Sequence, residues 1–201
     1  MALTLQGRPA LVINECQRGI IEPGLGSFPG LVEQVAARGI VARIADLARR
    51  FRAAGLPVIH APVAHRPDFA DVQANTLLAA LARKHRRMVI GSDEAAFVAA
   101  LEPLPDDLVV GRTSGLIAFH GTALDAVLRR LDVQTMVLTG VSTNVAIAGC
   151  ALAAADLGYH VVVPEDCIAG ADAHAHEVIV DQQLRMVARV VTADEVAAPL
   201  G

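Results

Sequence analysis

Residues 137–159 read VLTGVSTNVAIAGCALAAADLGY, and this stretch decides the fold. An apolar run ends in Thr-Gly, passes through a polar turn and continues as a long segment with almost no charge. We interpret it as a buried strand, a turn and a buried helix, because a helix that is apolar on nearly every face is covered on nearly every face. Ser142, Thr143 and Asn144 fall at the junction. Ligands bind at such junctions in parallel sheets, since the first helical amides are unpaired and the helix dipole is positive there.

Length and composition favour one globular domain. The chain has 201 residues, of which 54% are hydrophobic, and its net charge of −4 gives no reason to expect nucleic acid or an anionic membrane as a partner. Its three cysteines lack C-x-x-C spacing, which predicts reduced thiols rather than a disulfide framework. The start of the chain has no signal-peptide pattern, and no apolar segment has the length of a membrane span. These features predict a cytoplasmic protein.

The rest of the chain alternates between short apolar runs and segments with helical spacing of apolar residues. The predicted strands are 9–14, 57–61, 108–110, 136–138, 160–163 and 189–191. Besides the helix of the opening stretch, the predicted helices are 40–54, 74–84, 93–101, 122–131 with an N-cap at Thr122, and 172–188, while residues 16–38 are predicted to be a loop. This order predicts an α/β protein with three α/β/α layers and an open, mainly parallel sheet of about six strands.

Two charged residues follow predicted strands and mark a candidate site. Glu15 closes the first strand, where partly desolvated surroundings favour the neutral form of an acid and suit a general acid or base. Arg112 lies just beyond the third strand and brings a fixed cation to the same edge of the sheet. Each has a structural alternative. Glu15 could cap a loop or pair with Arg18, and Arg112 could serve only as an ion-pair residue.

Four segments together resemble the isochorismatase-like hydrolase superfamily in their order and spacing. They are Glu15-Cys16-Gln17, Ala118-Phe119-His120-Gly121-Thr122-Ala123-Leu124, Gly140-Val141-Ser142-Thr143-Asn144-Val145, and residues 158–166. The resemblance covers nearly the whole chain and implies one domain of this type over residues 1–201. It also implies a cis peptide bond between Val141 and Ser142, which in the family sets up an oxyanion hole.

Departures from the family pattern concern the residues that carry its chemistry. Amidase members have a nucleophilic cysteine where this chain has Ala146, so the covalent thioester route is closed at that position. Cys150 lies one helical turn further on and is expected to be a core thiol. The family's aspartate is replaced by Glu15. The position of its lysine falls on Thr113, next to Arg112, whose guanidinium cannot cycle protons as a tuned lysine does.

The metal-binding segment of the nicotinamidases is also altered. Their Asp-x-His-x-x-His pattern aligns with Val63, His65 and Asp68, and two remaining ligands rarely hold a metal. We therefore expect neither a metal nor another cofactor. His60 is predicted to face the pocket, whereas His174 and His176 are predicted to be surface residues.

The resemblance implies a small-molecule site with Glu15 and Arg112 as catalytic residues. The implied binding residues are Gln17, Phe119, His120, Val141, Ser142, Thr143, Asn144 and Ala146. Our first hypothesis is a hydrolase or lyase that cleaves a small polar molecule, carboxylated or not, by acid-base chemistry of the vinyl-ether type. A different acid-base reaction in the same cavity is equally open. A catalytically inactive family member that serves as a binding or scaffold subunit is the alternative. Because the apolar fraction is high and relatives usually pair, we expect a homo-oligomer, either a dimer or a tetramer.

Overall fold

In the computed structural model, which describes residues 3–200, seven strands form one parallel sheet. They are Arg8–Asn14 (β1), Val58–Ala61 (β2), Leu108–Val109 (β3), Val133–Val141 (β4), His160–Pro164 (β5), Ile168–Ala169 (β6) and Arg189–Val191 (β7). The order is β3-β2-β1-β4-β5-β7, with β6 paired to the end of β4. Each strand pair is parallel, which confirms the predicted class of sheet. The two-residue strand β6 was not predicted.

Helices cover both faces of the sheet. They are Arg18–Ile21 (α1), Pro29–Arg38 (α2), Ile40–Ala53 (α3), Leu77–His85 (α4), Leu124–Arg130 (α5), Ala148–Asp156 (α6), Ala173–Ile179 (α7), Arg185–Val187 (α8) and Ala193–Ala197 (α9). Between residues 3 and 200, no helix has both the length and the apolar character needed to cross a lipid bilayer.

The alternating side chains of β1 divide the core into two layers. Leu11 and Ile13 pack with apolar residues of α2, α3 and α9 on one face of the sheet. Ala10 and Val12 pack with residues of α5 and α6 on the other face. Successive side chains of a strand point to opposite faces, so a strand covered on both sides is apolar throughout. The three-layer α/β/α prediction is therefore confirmed.

Several predicted elements differ from the structure. The predicted loop 16–38 contains α1 and α2. Pro29 does not prevent a helix here, because it occupies the first turn of α2, where a missing N–H costs little. The predicted helix 93–101 forms only two short 3₁₀ turns. The predicted N-cap at Thr122 is wrong, because Ala123 occupies the N-cap position of α5. Helix α5 begins two residues later, and the Thr122 hydroxyl donates to the Ala118 carbonyl (2.5 Å).

The opening stretch forms a strand, a turn and a helix, as predicted, with one irregularity at the junction. Between β4 and α6, residues Thr143–Ile147 form a π-helical turn. The carboxyl end of β4 lies beside that of β1, with Gly140 paired to Asn14. The turn and the residue that follows β1 therefore share one edge of the sheet.

Candidate active site

An ion pair between Glu15 and Arg112 lies at the carboxyl edge of the sheet. Glu15 follows β1 with a φ of 53°, and its amide donates to the carbonyl of Ala61 at the end of β2 (3.3 Å). The Arg112 Nη2 donates to Glu15 Oε1, and both side chains are largely buried. Arg18, the alternative partner, binds Glu22 instead. The two residues predicted to be catalytic are thus in direct contact although they are far apart in sequence.

The Arg112 guanidinium retains one donor without a partner. Its Nε and Nη2 donate weakly to the carbonyls of Gly115 (3.4 Å) and Leu116 (3.5 Å), whereas the buried Nη1 has no hydrogen-bond partner in the part of the chain that the structure describes. Burial lowers the pKa of Arg112 to about 10, so the side chain stays charged at neutral pH. Buried donors are usually satisfied, and Nη1 is therefore available to a ligand or a water molecule.

The turn after β4 has the backbone geometry that the resemblance implied. The peptide bond between Val141 and Ser142 is cis, which confirms that prediction. The Asn14 side-chain amide donates to the Val141 carbonyl (2.8 Å) and ties the turn to β1. The Ser142 carbonyl accepts from the amides of Val145 (3.3 Å) and Ile147 (3.0 Å). These bonds fix the turn beside the Glu15–Arg112 pair.

A buried histidine supports the same turn from behind. The Thr143 hydroxyl lies 2.8 Å from Nδ1 of His176, and both residues are buried. The prediction of a surface position for His176 was wrong, whereas His174 is exposed. Burial, with a smaller contribution from Arg38, lowers the pKa of His176 to about 4. The imidazole is therefore neutral at physiological pH.

The buried His176 should make stability depend on pH. Its pKa falls from 6.5 to about 4 on folding, so protons favour the unfolded chain, and the stabilisation present above pH 6.5 is lost as the pH falls towards 4. Between pH 7.5 and pH 4.5, we expect the free energy of unfolding of the native protein to fall by about 2 to 3 kcal/mol more than that of His176→Gln. Urea unfolding at the two pH values measures both. His174→Gln, two residues away and exposed, is the control and should behave as the native protein. Equal losses in native protein and His176→Gln would contradict the assignment.

The nucleophile position of the cysteine-dependent relatives holds Ala146, whose methyl group faces the site. The three cysteines are free and at most 1% exposed. Burial raises the pKa of Cys16 to about 12 and also raises those of Cys150 and Cys167. The Cys150 Sγ accepts a bond from the Ala118 amide (3.2 Å), as expected of a core thiol. None of the three thiols lines the site.

A cavity of about 740 Å³ opens above the ion pair. Of the residues predicted for the site, those that line the cavity are Glu15, Arg112, His120, Ser142 and Ala146. Those that do not are Gln17, Phe119, Val141, Thr143 and Asn144. The structure therefore brings together the charged residues and part of the turn, and the roles of these residues stay predictions.

Residues outside the cavity have evident structural contacts. The Gln17 amide spans two chain segments, donating to the carbonyls of Val63 (3.0 Å) and Ala95 (2.7 Å) and accepting from the Val63 amide (2.9 Å). Phe119 packs near Tyr159, with ring centroids 6.4 Å apart. Asn144 is exposed to solvent. Gln17 fixes the geometry of the loop next to the site without facing it.

The residues aligned with the nicotinamidase metal site do not converge. Asp68 is exposed and its carboxylate is bound by Arg66, whose hydrogen bond is the main reason that the pKa of Asp68 falls to about 2. Val63 supplies no ligand atom, and within residues 3–200 no group of three or more His, Cys, Asp or Glu residues could hold a metal ion. His60, predicted to face the pocket, is buried elsewhere, against Asp107.

Two cavity residues were missed as members of the site. His65 lines the cavity, and its Nδ1 donates to the Thr113 carbonyl (2.7 Å). Asp71 also lines the cavity and accepts a bond from the Thr113 hydroxyl. Both lie in an irregular segment after β2, where sequence spacing gives no indication of side-chain direction. Only the comparison with the metal motif had singled out His65.

A parallel sheet with a cavity and a charged pair at the carboxyl ends of its strands defines an open α/β protein, the class of fold in which ligands bind at this edge. The family model for the isochorismatase domain matches residues 9–195, and the chain belongs to the isochorismatase family.

Known relatives span most of the chain. It is 32% identical over 188 residues to the uncharacterized isochorismatase family protein YecD of Escherichia coli O157:H7, with 93% of each chain covered. It is 30% identical over 173 residues to maleamate amidohydrolase of Pseudomonas putida, covering 85% of this chain and 76% of the relative. The crystal structure of an isochorismatase family protein from Desulfovibrio vulgaris matches with a TM-score of 0.84 at 30% identity, covering 96% of this chain and 99% of the other.

Proposed function

We propose that the chain is a cofactor-independent hydrolase or lyase that cleaves a carboxylated vinyl ether by acid-base chemistry. The observation that carries the proposal is the Glu15–Arg112 pair on the floor of a cavity whose nucleophile position is Ala146. A methyl group cannot attack an electrophile, and the buried thiols do not reach the cavity. A proton donor, an anion-binding cation and water are then the groups that remain for chemistry.

Arg112 can control the protonation state of Glu15. In the free protein the guanidinium lies against Glu15 and favours its ionised form. A substrate carboxylate that binds Arg112, using the unpaired Nη1, takes over this positive charge. The partly desolvated Glu15 then favours its neutral form, which is the form that donates a proton. Binding of an anionic substrate thus prepares the acid.

The reaction follows from this arrangement. The Glu15 proton adds to the terminal carbon of the vinyl ether, and the electron pair of the C=C bond forms the new C–H bond. Water adds to the resulting oxocarbenium carbon and gives a proton to the Glu15 carboxylate. This proton restores the protonated acid. The hemiketal then collapses to an alcohol and a ketone as the proton of its hydroxyl group passes to the departing ether oxygen.

Amide hydrolysis by water is the competing chemistry in the same cavity. The relative from Pseudomonas putida is named as a maleamate amidohydrolase, and maleamate carries both an amide and a carboxylate. The carboxylate supports an anionic substrate for this chain too. Glu15 and Ala146 in place of the aspartate and cysteine favour attack by water over a covalent route.

Deuterium incorporation tests the proposal. We would incubate the protein with 2-methoxyacrylate in D₂O and follow the products by NMR, with maleamate as the amide comparison and a protein-free control. The proposal expects pyruvate with one deuterium in its methyl group, because the acid protonates the terminal carbon. Amide cleavage alone would refute vinyl-ether chemistry. No turnover of either compound, with binding retained, would favour an inactive binding protein.

Restoring the cysteine should restore thiol reactivity. Ala146→Cys is expected to place a thiol on the cavity wall that iodoacetamide labels at least tenfold faster than any native cysteine, since the native thiols are buried with raised pKa values. Intact-protein mass spectrometry measures the rate. Ala148→Cys, at a buried position of the next helix that does not line the cavity, is the matched control and should label slowly. Equal labelling of both variants would show that position 146 is closed to ligands.

A further inference from the structure

The cavity above the ion pair has a polar floor and apolar walls. Its floor is formed by residues at the strand ends, including Glu15, Arg112 and Ser142. Two separate segments form the walls, one running from α1 to α2 and the other consisting of α4 and the residues after it. The apolar side chains that line these walls are Ile20, Phe28, Leu31, Leu78, Leu81 and Met88.

Helix α4 packs over this cavity rather than over the core. The helix is well defined, because the Thr76 hydroxyl caps it by accepting a bond from the Ala79 amide (3.2 Å). None of its residues is buried, although Leu78, Leu81 and Ala82 line the cavity. An amphipathic helix normally buries its apolar stripe against other apolar groups. The groups that would cover this stripe are absent from the part of the chain that the structure describes.

The charge on the floor of the cavity indicates the chemistry of a ligand that would cover the apolar walls. A buried guanidinium with one unpaired donor lies at the base of the same cavity and calls for an anionic group. A volume of about 740 Å³ lies within the range of roughly 300 to 1,000 Å³ found for pockets that enclose drug-sized ligands. A molecule as small as maleamate would bind the floor and leave the walls uncovered.

We propose that the substrates of this site are amphipathic, with a carboxylate bound at the floor and an apolar body of several carbons between α4 and the α1–α2 segment. This inference rests on the proposed function and narrows its carboxylated vinyl ether to substrates that also carry an apolar body. The apolar body supplies binding energy away from the reacting group, and the charged end sets its orientation.

Affinity for a series of linear carboxylates tests the inference without requiring turnover. We would titrate the protein with butanoate, hexanoate, octanoate and decanoate by calorimetry. Burial of each methylene should lower Kd about three- to fourfold, at least as far as octanoate. Equal affinities for butanoate and octanoate would overturn the inference.

Variants of α4 test where the ligand lies. Leu81→Trp fills the space between the walls and should remove most of the gain from butanoate to octanoate. Leu81→Phe is a milder change for use if the first variant does not fold. Leu77→Trp is the matched control, because Leu77 lies on the same helix, is 73% exposed and does not line the cavity, so the native series should be retained. A gain that persists in both Leu81 variants would place the ligand elsewhere and refute the inference.

The outcomes separate this inference from the proposed function. A chain-length gain that depends on Leu81, without cleavage of vinyl ethers, would refute the proposed reaction and support the amphipathic ligand. Cleavage of 2-methoxyacrylate without any gain in affinity with chain length would support the proposed reaction and refute the amphipathic ligand. If Leu81→Trp instead lowers the molecular mass in size-exclusion chromatography and octanoate binds no better than butanoate, a second copy of the chain covers α4 and the inference is wrong.

Discussion

Replacing Glu15 by Gln is expected to lower kcat for vinyl-ether cleavage by about 10²- to 10⁴-fold, the usual contribution of a general acid or base. The amide retains the shape of the side chain and can still accept a bond from Arg112, but it cannot deliver a proton. Rates on 2-methoxyacrylate, followed by NMR, provide the measurement. Glu102→Gln, at an exposed position away from the cavity, is the control and should leave the rate unchanged. A fully active Glu15→Gln protein would eliminate Glu15 as the acid.

Loss of the ion pair is a second consequence of the same change and has to be separated from loss of the acid. Removal of one partner leaves the Arg112 charge buried without compensation, which costs about 3 to 5 kcal/mol of stability in comparable pairs. Glu15→Asp keeps both the charge and the acid on a side chain one methylene shorter. Glu15→Asp should recover most of the stability and part of the rate. If Glu15 had only a structural role, Glu15→Asp would recover stability and rate to the same extent. Urea unfolding of each variant gives the stability.

The sequence predicts the layers and the strand ends of this fold because those depend on local patterns. Apolar runs such as 9–14 are buried on both faces, and the residues that follow them must emerge at the carboxyl edge of a parallel sheet. This argument places Glu15 and Arg112 on one edge. It cannot place them in contact, since that depends on the register of β1, β2 and β3, and on the approach of Val63 to Arg112 beyond the regular strands.

Side-chain direction within loops and irregular turns is what the sequence does not provide. Gln17 and Asn144 carry polar groups next to the site, yet one bridges backbone segments and the other faces solvent. His176 lies in the first turn of a helix whose sequence is polar there, which indicates a surface position. In the structure its ring is buried and contacts the Thr143 hydroxyl. The walls of the cavity were missed because α1 and α2 lie in a segment predicted to be a loop, and because the packing of α4, which was predicted as a helix, depends on distant segments. Three of the four matched motifs contribute residues to the cavity, and none of the four indicated the space above its floor.

Gly140→Ala is expected to destabilise the protein by about 4 kcal/mol or more, which is exceptional for a single substitution. Gly140 has a φ of 103°, which L-residues avoid, and an added Cβ would lie 2.1 Å from the carbonyl oxygen of Asn14. That oxygen belongs to the neighbouring central strand, so relief of the contact requires β1 and β4 to separate where they are paired. Asn14 also holds the Val141 carbonyl through its side chain, and any shift would therefore displace the turn that borders the cavity.

Gly158→Ala is the matched control for this prediction. Gly158 has a similar φ of 89°, but an added Cβ there would meet nothing within 4 Å. Gly158→Ala should therefore destabilise the protein by only about 1 to 2 kcal/mol, which is the penalty for placing an L-residue in a left-handed backbone conformation. Urea unfolding of the two variants measures the difference directly. Equal losses would mean that conformation alone requires glycine at position 140. A larger loss for Gly140→Ala would show that the close approach of β1 and β4 requires a residue without a side chain just before the turn, so that the same contact supports both the sheet and the site.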